Sequence, residues 1–478
     1  MRGSVKPTSA EVVYRALSRV SPFRIWQHLQ EGLANQWLTE GELKQLQWQR
    51  LHSILVHCYH NVPFYRALWR QHDVNPTRFT SSADMKHIPV VTRSMLSKAR
   101  LERGFAAKDR HGGSVQLVIT SGTADGRPFG VMMDRRTYER KYANHLRQFY
   151  VAGWRLGTRS AALHHAGHGR FRGRYSGKTD QREPWHLLRE LTFRIFHRRI
   201  VLPPYTSAAT GDEEMVREWY ARIRAFSPQM LDTFYINLLM LLDYVRRAGL
   251  TPLRIPRMFV LNTLTDTERQ RLQDCFGAEI FNRYSPHEGE GVAVACSHHV
   301  GMHVAADSYY VEIVAADLDP LPVGETGRVV LTDLENYTMP LIRYDIGDMS
   351  RLLEGDCPCG RSLPRMSDLE GRVVDTLCNA SGDVVTSWQV ERLFQGISEL
   401  SCFQVVRHGS SITLSVVPAA GSSDRRAAAE LYNRRIQEVL GARVSVQVEW
   451  KESLPLEPNG KYRFVKNGSY PDLASLSG

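Results

Sequence analysis

No apolar run in this chain approaches the roughly 18 residues that a membrane-spanning helix needs, so no transmembrane segment is expected. Cysteine is scarce. Seven in 478 residues, odd in number and unevenly spaced, argue against a disulfide framework and for thiols or metal ligands. The first twenty residues carry charges but no apolar stretch, so a secretory leader is not expected and the cytoplasm is the expected compartment. There is no internal repeat, and the motif GxxxxGKS/T is missing, which excludes a Walker phosphate loop. Acidic residues are the minority, 50 against 61 basic, for a net charge of +11. That surplus favours anionic partners such as nucleotides, coenzyme A, an acidic carrier protein, nucleic acid or anionic lipid. The remaining composition, 42% hydrophobic and 23% charged, is that of a globular protein of two or three domains.

Residues 11–70 read as helical, with a break near Asn61-Val62-Pro63. Thr80–Asp84 is a turn that can cap a following helix. Gln116–Ile119 reads as a strand running into a loop, and 136–150 as a helix. Residues 164–200 have no period and read as a basic loop, then an Arg-rich helix to about Ile200. Arg170, Arg172, Arg174, Lys178, Arg182 and Arg189 could there attract a polyanion. From 212 to 350, helices alternate with short strands, then give way to β-rich sequence, which suggests an α/β sheet with crossover helices. Gly371 marks the expected boundary. After it come strands over 402–407, 411–417 and 443–450 and a helix over 424–440.

Four clusters carry chemistry. Thr120-Ser121-Gly122-Thr123-Ala124-Asp125-Gly126 offers flexible backbone N–H groups and hydroxyls that can wrap phosphate oxygens. Tyr284 to Gly291 puts an aromatic ring and Glu288 at a strand end, where a carboxylate can hold Mg²⁺ on a triphosphate. Asp348, after the Gly347 turn, can accept from ribose hydroxyls. Lys461, on a Pro/Gly-rich turn, can present a point charge to a phosphate. Separately, the Cys357-Pro358-Cys359 pair could be joined by Cys296 and His303 in a tetrahedral zinc site. With all four positions filled by protein, such a site would be structural.

These motifs stand in a recognisable order, and the sequence resembles the adenylate-forming (acyl-CoA synthetase-like) superfamily. It is most similar to the phenylacetate–CoA ligase branch and its capsule-biosynthesis-associated relatives. LVHCYHNVPFYRALW, IPVVTRSML, TSGTADGRPFG, YSPHEGEGVAVAC, RYDIGD, CPCGRSLP, GRVVD and NGKYRFV carry the likeness, from about residue 43 to 466. The resemblance implies an α/β fold. A large multi-sheet adenylation domain, residues 1–372, would precede a small mobile α+β domain, 373–478, hinged at 373–375. It implies that Thr120, Ser121, Gly122, Thr123 and Gly126 wrap ATP, and that Tyr284 meets the adenine. Asp348 would hold the ribose, and Arg361 or Arg372 would meet the nucleotide. Glu288 would bind Mg²⁺. Lys461 would bridge the carboxylate and the α-phosphate. It also implies a zinc site at Cys296, His303, Cys357 and Cys359.

The reaction implied is carboxylate activation to an acyl-adenylate and pyrophosphate, then acyl transfer to coenzyme A. Transfer to an amine or a carrier protein is the alternative within that class. A degenerate protein that binds nucleotides or polyanions without catalysis is the alternative outside it, and the presence of Glu288, Asp348 and Lys461 argues against it. No nucleic-acid partner is expected, because the basic residues are not interleaved with a recognisable fold motif. The resemblance also allows a homodimer. The apolar helix Ile236–Val245, with Phe234 and Tyr235, can line an acyl pocket or pack in the core.

Overall fold

The computed structural model describes residues 7–19, 24–101, 116–119, 130–163, 198–203, 213–261, 264, 266–286, 288–379, 384–394, 397, 400–409, 411–418, 424–442, 444–454 and 463–467. Among them no helix is long and apolar enough to cross a membrane.

Capping residues set the N-terminal helices. Thr39 accepts from the Glu42 N–H while Glu42 accepts from the Thr39 N–H, which starts the helix Glu40–Asn61. Val62 is extended, and Pro63 opens the next helix, Pro63–Gln71, where a missing N–H costs nothing. Leu51, Ile54, Leu55 and Cys58 line one face at helical spacing and pack on Tyr65, Trp69, Met339 and Ile342. Ser81 and Asp84 cap a 3₁₀ helix, Ser82–His87, at the turn expected there.

A five-stranded parallel sheet runs in the order Arg199–Val201, Ser160–Leu163, Met230–Thr233, Arg257–Val260, Glu279–Phe281. Strand alternation gives it two buried faces. Leu231, Met258 and Ile280 pack on the helices Glu213–Phe226 and Tyr235–Arg247, through Val216, Trp219, Ile223, Leu238 and Leu241. Met230, Phe259 and Phe281 pack on the central helix Arg135–Val151, through Tyr142, Leu146 and Phe149. Each such fully buried side chain contributes roughly 1.5–3 kcal/mol. Leu238, Leu241 and Tyr244 of Tyr235–Arg247 are thus core, with Tyr235, Met240, Leu242 and Val245 half-buried against them. One expectation is corrected here. The helix expected to reach about Ile200 does not extend over Arg199–Val201, which is a strand, because β-branched Ile200 and Val201 pair with Ala161 and Ala162 at the edge of the sheet.

Two further sheets carry the site. One is antiparallel, in the order Leu352–Leu353, Arg365–Met366, Met302–Val304, Ala293–Ala295, Arg283–Tyr284. The other pairs Tyr309–Val314, Gly327–Asp333 and Tyr344–Ser350. Beyond Gly371, Ser445–Trp450, Ser411–Pro418, Leu400–His408 and Val465–Asn467 form a mixed four-stranded sheet. The helix Arg425–Leu440 packs on it through Tyr432, Ile436 and Leu440.

Candidate active site

The parallel strands all end at one edge, the edge where open α/β sheets bind ligands. Phe281 leads there into Arg283–Tyr284. The Tyr284 phenol donates to Asp348 Oδ2 at 2.8 Å, and both residues are buried. Burial, then the Asp348 charge, pushes the phenol well above its ordinary range, so it stays a donor. Gly347 is at φ +81°, a turn that suits glycine, and Asp348 follows it. Arg372 Nε lies 3.4 Å from Asp348 Oδ1, and the two backbones bridge as antiparallel partners. The structure thus brings together Tyr284, Asp348 and Arg372.

Glu288 sits on the same loop. Its backbone oxygen accepts from Lys141 Nζ at 3.2 Å. Lys141, fully buried on the central helix, also donates to Asp333 Oδ2 at 2.6 Å. A lysine carrying neither a phosphate-loop nor a C-terminal motif therefore anchors the loop that carries Glu288. Its sequence signal was a charge on the apolar stripe Tyr138, Tyr142, His145, Phe149 of an amphipathic helix.

Arg361 is held elsewhere. Its Nε donates to Gln36 Oε1 at 2.9 Å, and its guanidinium stacks 4.9 Å over Trp37. Of the two arginines offered for the nucleotide, Arg372 is the one on Asp348. Arg361 instead borders a metal-type cluster. Cys296, His303, Cys357 and Cys359 place their donor atoms within 4.8 Å of one another. Cys296 follows the strand Ala293–Ala295, His303 lies in its hairpin partner, and the two other cysteines lie on the loop leading back to Arg365–Met366. Cys296 Sγ and Cys357 Sγ are 3.6 Å apart, and Cys359 Sγ is 3.3 Å from His303 Nε2. Tetrahedral zinc with bonds of about 2.3 Å to sulfur and 2.0–2.1 Å to nitrogen sets edges of about 3.5–3.8 Å, so the donor set fits. Burial, with Arg361 nearby, lowers the His303 imidazole to about 4, which keeps it neutral. Burial pushes Cys357 up to about 12. It pushes Cys359 up as well, but the Arg361 backbone and guanidinium outweigh it and bring that thiol below its ordinary value.

The phosphate loop, Thr120, Ser121, Gly122, Thr123 and Gly126, and Lys461 lie outside the described residues, as does nearly all of 164–200. The strand Val465–Asn467 pairs with Val405–Arg407, and Arg463 forms an ion pair with Asp375 in the turn Val373–Asp375. The segment just after Lys461 is thereby tied to the expected hinge. A cleft of about 240 Å³ lined by Arg269, Asn282, His299, Arg351, Asp368 and Glu370 flanks the chain leading into Gly371.

Comparison with known proteins agrees with this architecture. Residues 377–468 match the family model of the CapK C-terminal domain. The chain is 27% identical over 371 residues to the phenylacetate–coenzyme A ligase of Thermus thermophilus, covering 76% of this chain and 77% of that one. It is 28% identical over 388 residues to the Escherichia coli phenylacetate–coenzyme A ligase, covering 78% and 82%. A 2-hydroxyisobutyryl-CoA ligase in its postadenylation state superposes with a TM-score of 0.73 over 93% of both chains, at 19% identity, which shows a shared fold. With its motifs in order, its C-terminal module and its full-length fold in agreement, the chain is similar to the phenylacetate–coenzyme A ligases, carries a match to the CapK C-terminal domain and shares the fold of adenylate-forming coenzyme A ligases.

Proposed function

We propose that the protein is an AMP-forming ligase that activates a carboxylic acid with ATP and passes the acyl group to coenzyme A. The observation that carries the reading is the Tyr284–Asp348–Arg372 cluster beside Glu288, in a chain that aligns with phenylacetate–coenzyme A ligases over three quarters of its length. A carboxylate oxygen attacks the α-phosphate of ATP and pyrophosphate leaves. Charge grows on phosphate oxygens, where positioned cations and N–H donors stabilise it. In this reading Asp348 holds the ribose hydroxyls, with Tyr284 and Arg372 fixing its carboxylate. The ring of Tyr284 borders the adenine. Thr120, Ser121, Gly122, Thr123 and Gly126 wrap the phosphates, and Glu288 holds magnesium on them. Residues 373–478 act as the small moving domain that delivers Lys461, and residues 1–372 form the adenylation domain. Cys296, His303, Cys357 and Cys359 hold a structural zinc ion that pins the hairpin to the 357–361 loop. The cytoplasm, which supplies ATP, coenzyme A and reduced thiols, is the compartment that fits.

Carboxylate-dependent ATP–pyrophosphate exchange, run over a panel of aryl, fatty and hydroxylated acids with a Lys461→Ala control, tests the reading. Exchange with one class of acid, lost in the variant, is the expected result. Coenzyme A consumption with the same acid then distinguishes thioester formation from transfer to an amine or carrier. Absence of ATP binding would overturn the ligase reading.

A further inference from the structure

On the strand Arg283–Tyr284, adjacent side chains point to opposite sides. Tyr284 turns to Asp348, the nucleotide side of the proposed site. Arg283 turns the other way, under the central helix, where Nη2 grips Asp232 Oδ1 and Oδ2 at 2.9 Å each. Arg199 Nη2 joins the same carboxylate at 3.0 Å. Above this triad stands His145, whose Nδ1 lies 2.6 Å from Glu290 Oε1 and 3.3 Å from Arg283 Nη1. Ser285 Oγ donates to the same Glu290 oxygen at 2.7 Å and accepts from the Gly291 N–H at 2.8 Å. Asp232 and Arg283 lie at the carboxyl edge of the parallel sheet, on its central-helix face.

Most of this network is internally paired and explains itself as packing. The His145 imidazole is the exception. A 2.6 Å contact to a carboxylate requires the proton on Nδ1, which leaves Nε2 a lone-pair acceptor. Nε2 makes no hydrogen bond among the described residues, and the side chain keeps 14% of its surface open. Arg199 keeps 23% of its side chain open. Arg283 Nε is buried without a hydrogen-bond partner. Burial, with Arg283 and Arg199 nearby, outweighs Glu290 and holds the His145 imidazole below its ordinary value, which keeps it neutral. Around it stand the rings of Tyr142 and Phe149, 5.8 and 5.0 Å from the imidazole centroid. The result is an aromatic wall with one uncommitted acceptor and one part-open guanidinium.

We infer that this wall forms the acyl end of the site, where His145 Nε2 accepts from, and Arg199 donates to, a hydroxyl on the substrate. The substrate class is therefore a hydroxylated carboxylic acid and not a wholly hydrocarbon one. The inference rests on the ligase reading, which supplies the carboxylate on the Tyr284 side. A hydrocarbon acid would desolvate Nε2 and leave it unpaired, whereas a hydroxyl satisfies both groups at once. Glu290 is a positioning residue that fixes the imidazole tautomer.

Matched acids that differ by one hydroxyl, such as benzoate with hydroxybenzoates and straight-chain acids with their hydroxy derivatives, test it in pyrophosphate exchange. The expected kcat/KM ratio favours the hydroxylated member of one pair by about tenfold or more. His145→Leu should bring that ratio towards one by raising KM for the hydroxylated acid, and His145→Gln, which restores an acceptor, should recover part of it. Exchange that ignores the hydroxyl in every pair, or a ratio untouched by His145→Leu in a folded variant, overturns the inference and leaves the ligase reading standing. Exchange with no acid at all overturns both.

Discussion

The bond from the Tyr284 phenol to Asp348 Oδ2 joins two sheets, since Tyr284 ends the antiparallel five-stranded sheet and Asp348 lies in the three-stranded one. Arg372 closes on the other carboxylate oxygen from the segment that leads out of the large sheets. A bond to a charged partner is worth about 1.5–3 kcal/mol, equivalent to roughly a tenfold to hundredfold change in an equilibrium. Asp348→Ala should therefore raise KM for ATP in pyrophosphate exchange by at least about tenfold. Tyr284→Phe should raise it less, because Arg372 still orients the carboxylate. Unchanged ATP dependence in both variants would remove the nucleotide role from this cluster.

Lys141 and Asp333 form a fully buried ion pair at 2.6 Å that also reaches the Glu288 carbonyl. Removing one partner strands the other charge, so Lys141→Ala should cost about 3–5 kcal/mol in urea unfolding. Replacing both, as Lys141→Met with Asp333→Leu, should restore much of that stability while exchange activity stays low, because Glu288 has lost its anchor. Recovery of full activity in the double variant would show that the pair serves stability alone.

The four-residue cluster should bind one zinc ion per chain by elemental analysis. Cys357→Ser should lose most of it, because the remaining three donors leave a coordination position to water. Thermal unfolding should shift down in the variant and in chelator-treated protein alike, since metal affinity contributes directly to folding free energy. A chain that is purified free of metal and as stable as before chelation would contradict the site.

Much of this was legible in the sequence, for identifiable reasons. The apolar periods pointed to the helices, and the short apolar runs at 258–262 and 279–281 pointed to two of the parallel strands, whereas Ser160–Leu163 and Met230–Thr233, with few β-branched residues, gave no such signal. Residue type and spacing offered Cys357 and Cys359 as a pair, the family resemblance added Cys296 and His303, and the fold brings the four donor atoms within 4.8 Å of one another. What escaped was pairing across distance. Nothing local links Lys141 to Asp333, or His145 to Glu290, because the sheets that bring them together are closed by residues far apart in the chain. The sequence left Arg361 and Arg372 as alternatives for the same reason. The Arg361 neighbour Trp37 comes from the turn between the helices Ile25–Asn35 and Glu40–Asn61, ahead of the first motif. At Arg199, charge pointed to a helix while the pairing of Ile200 decided for a strand.

Glu31 ties the helix Ile25–Asn35 to the bundle through Arg50 and through Arg140, 3.8 Å away. A hydrogen bond from His28, then those two arginines, holds its carboxyl at about 2 against burial. The folded value lies below the unfolded one of about 4.3, so its contribution is fully present above that value and is lost as pH falls towards 2. Urea midpoints measured from pH 6 downwards should fall less steeply for Glu31→Gln than for the unaltered protein. Parallel curves would show that Glu31 contributes nothing to the acid limb.

Gly371 stands at φ +114°, and a Cβ there would collide with Ser387 Oγ, at the start of the first helix of the C-terminal part. Its carbonyl accepts from the Met349 N–H at 2.9 Å, one residue from Asp348, and Arg372 follows it. Gly371→Ala should therefore act twice, through backbone strain of about 1 kcal/mol and through the clash, for a total near 1–3 kcal/mol. The two parts are separable. Ser387→Ala removes the colliding oxygen and leaves the strain, so the double variant should recover the clash but not the φ cost. Because the displaced carbonyl borders Asp348, KM for ATP should rise in Gly371→Ala and fall back in the double variant. Equal destabilisation in the single and double variants would mean that Ser387 yields without cost, and that backbone conformation alone demands glycine at the entry to the hinge.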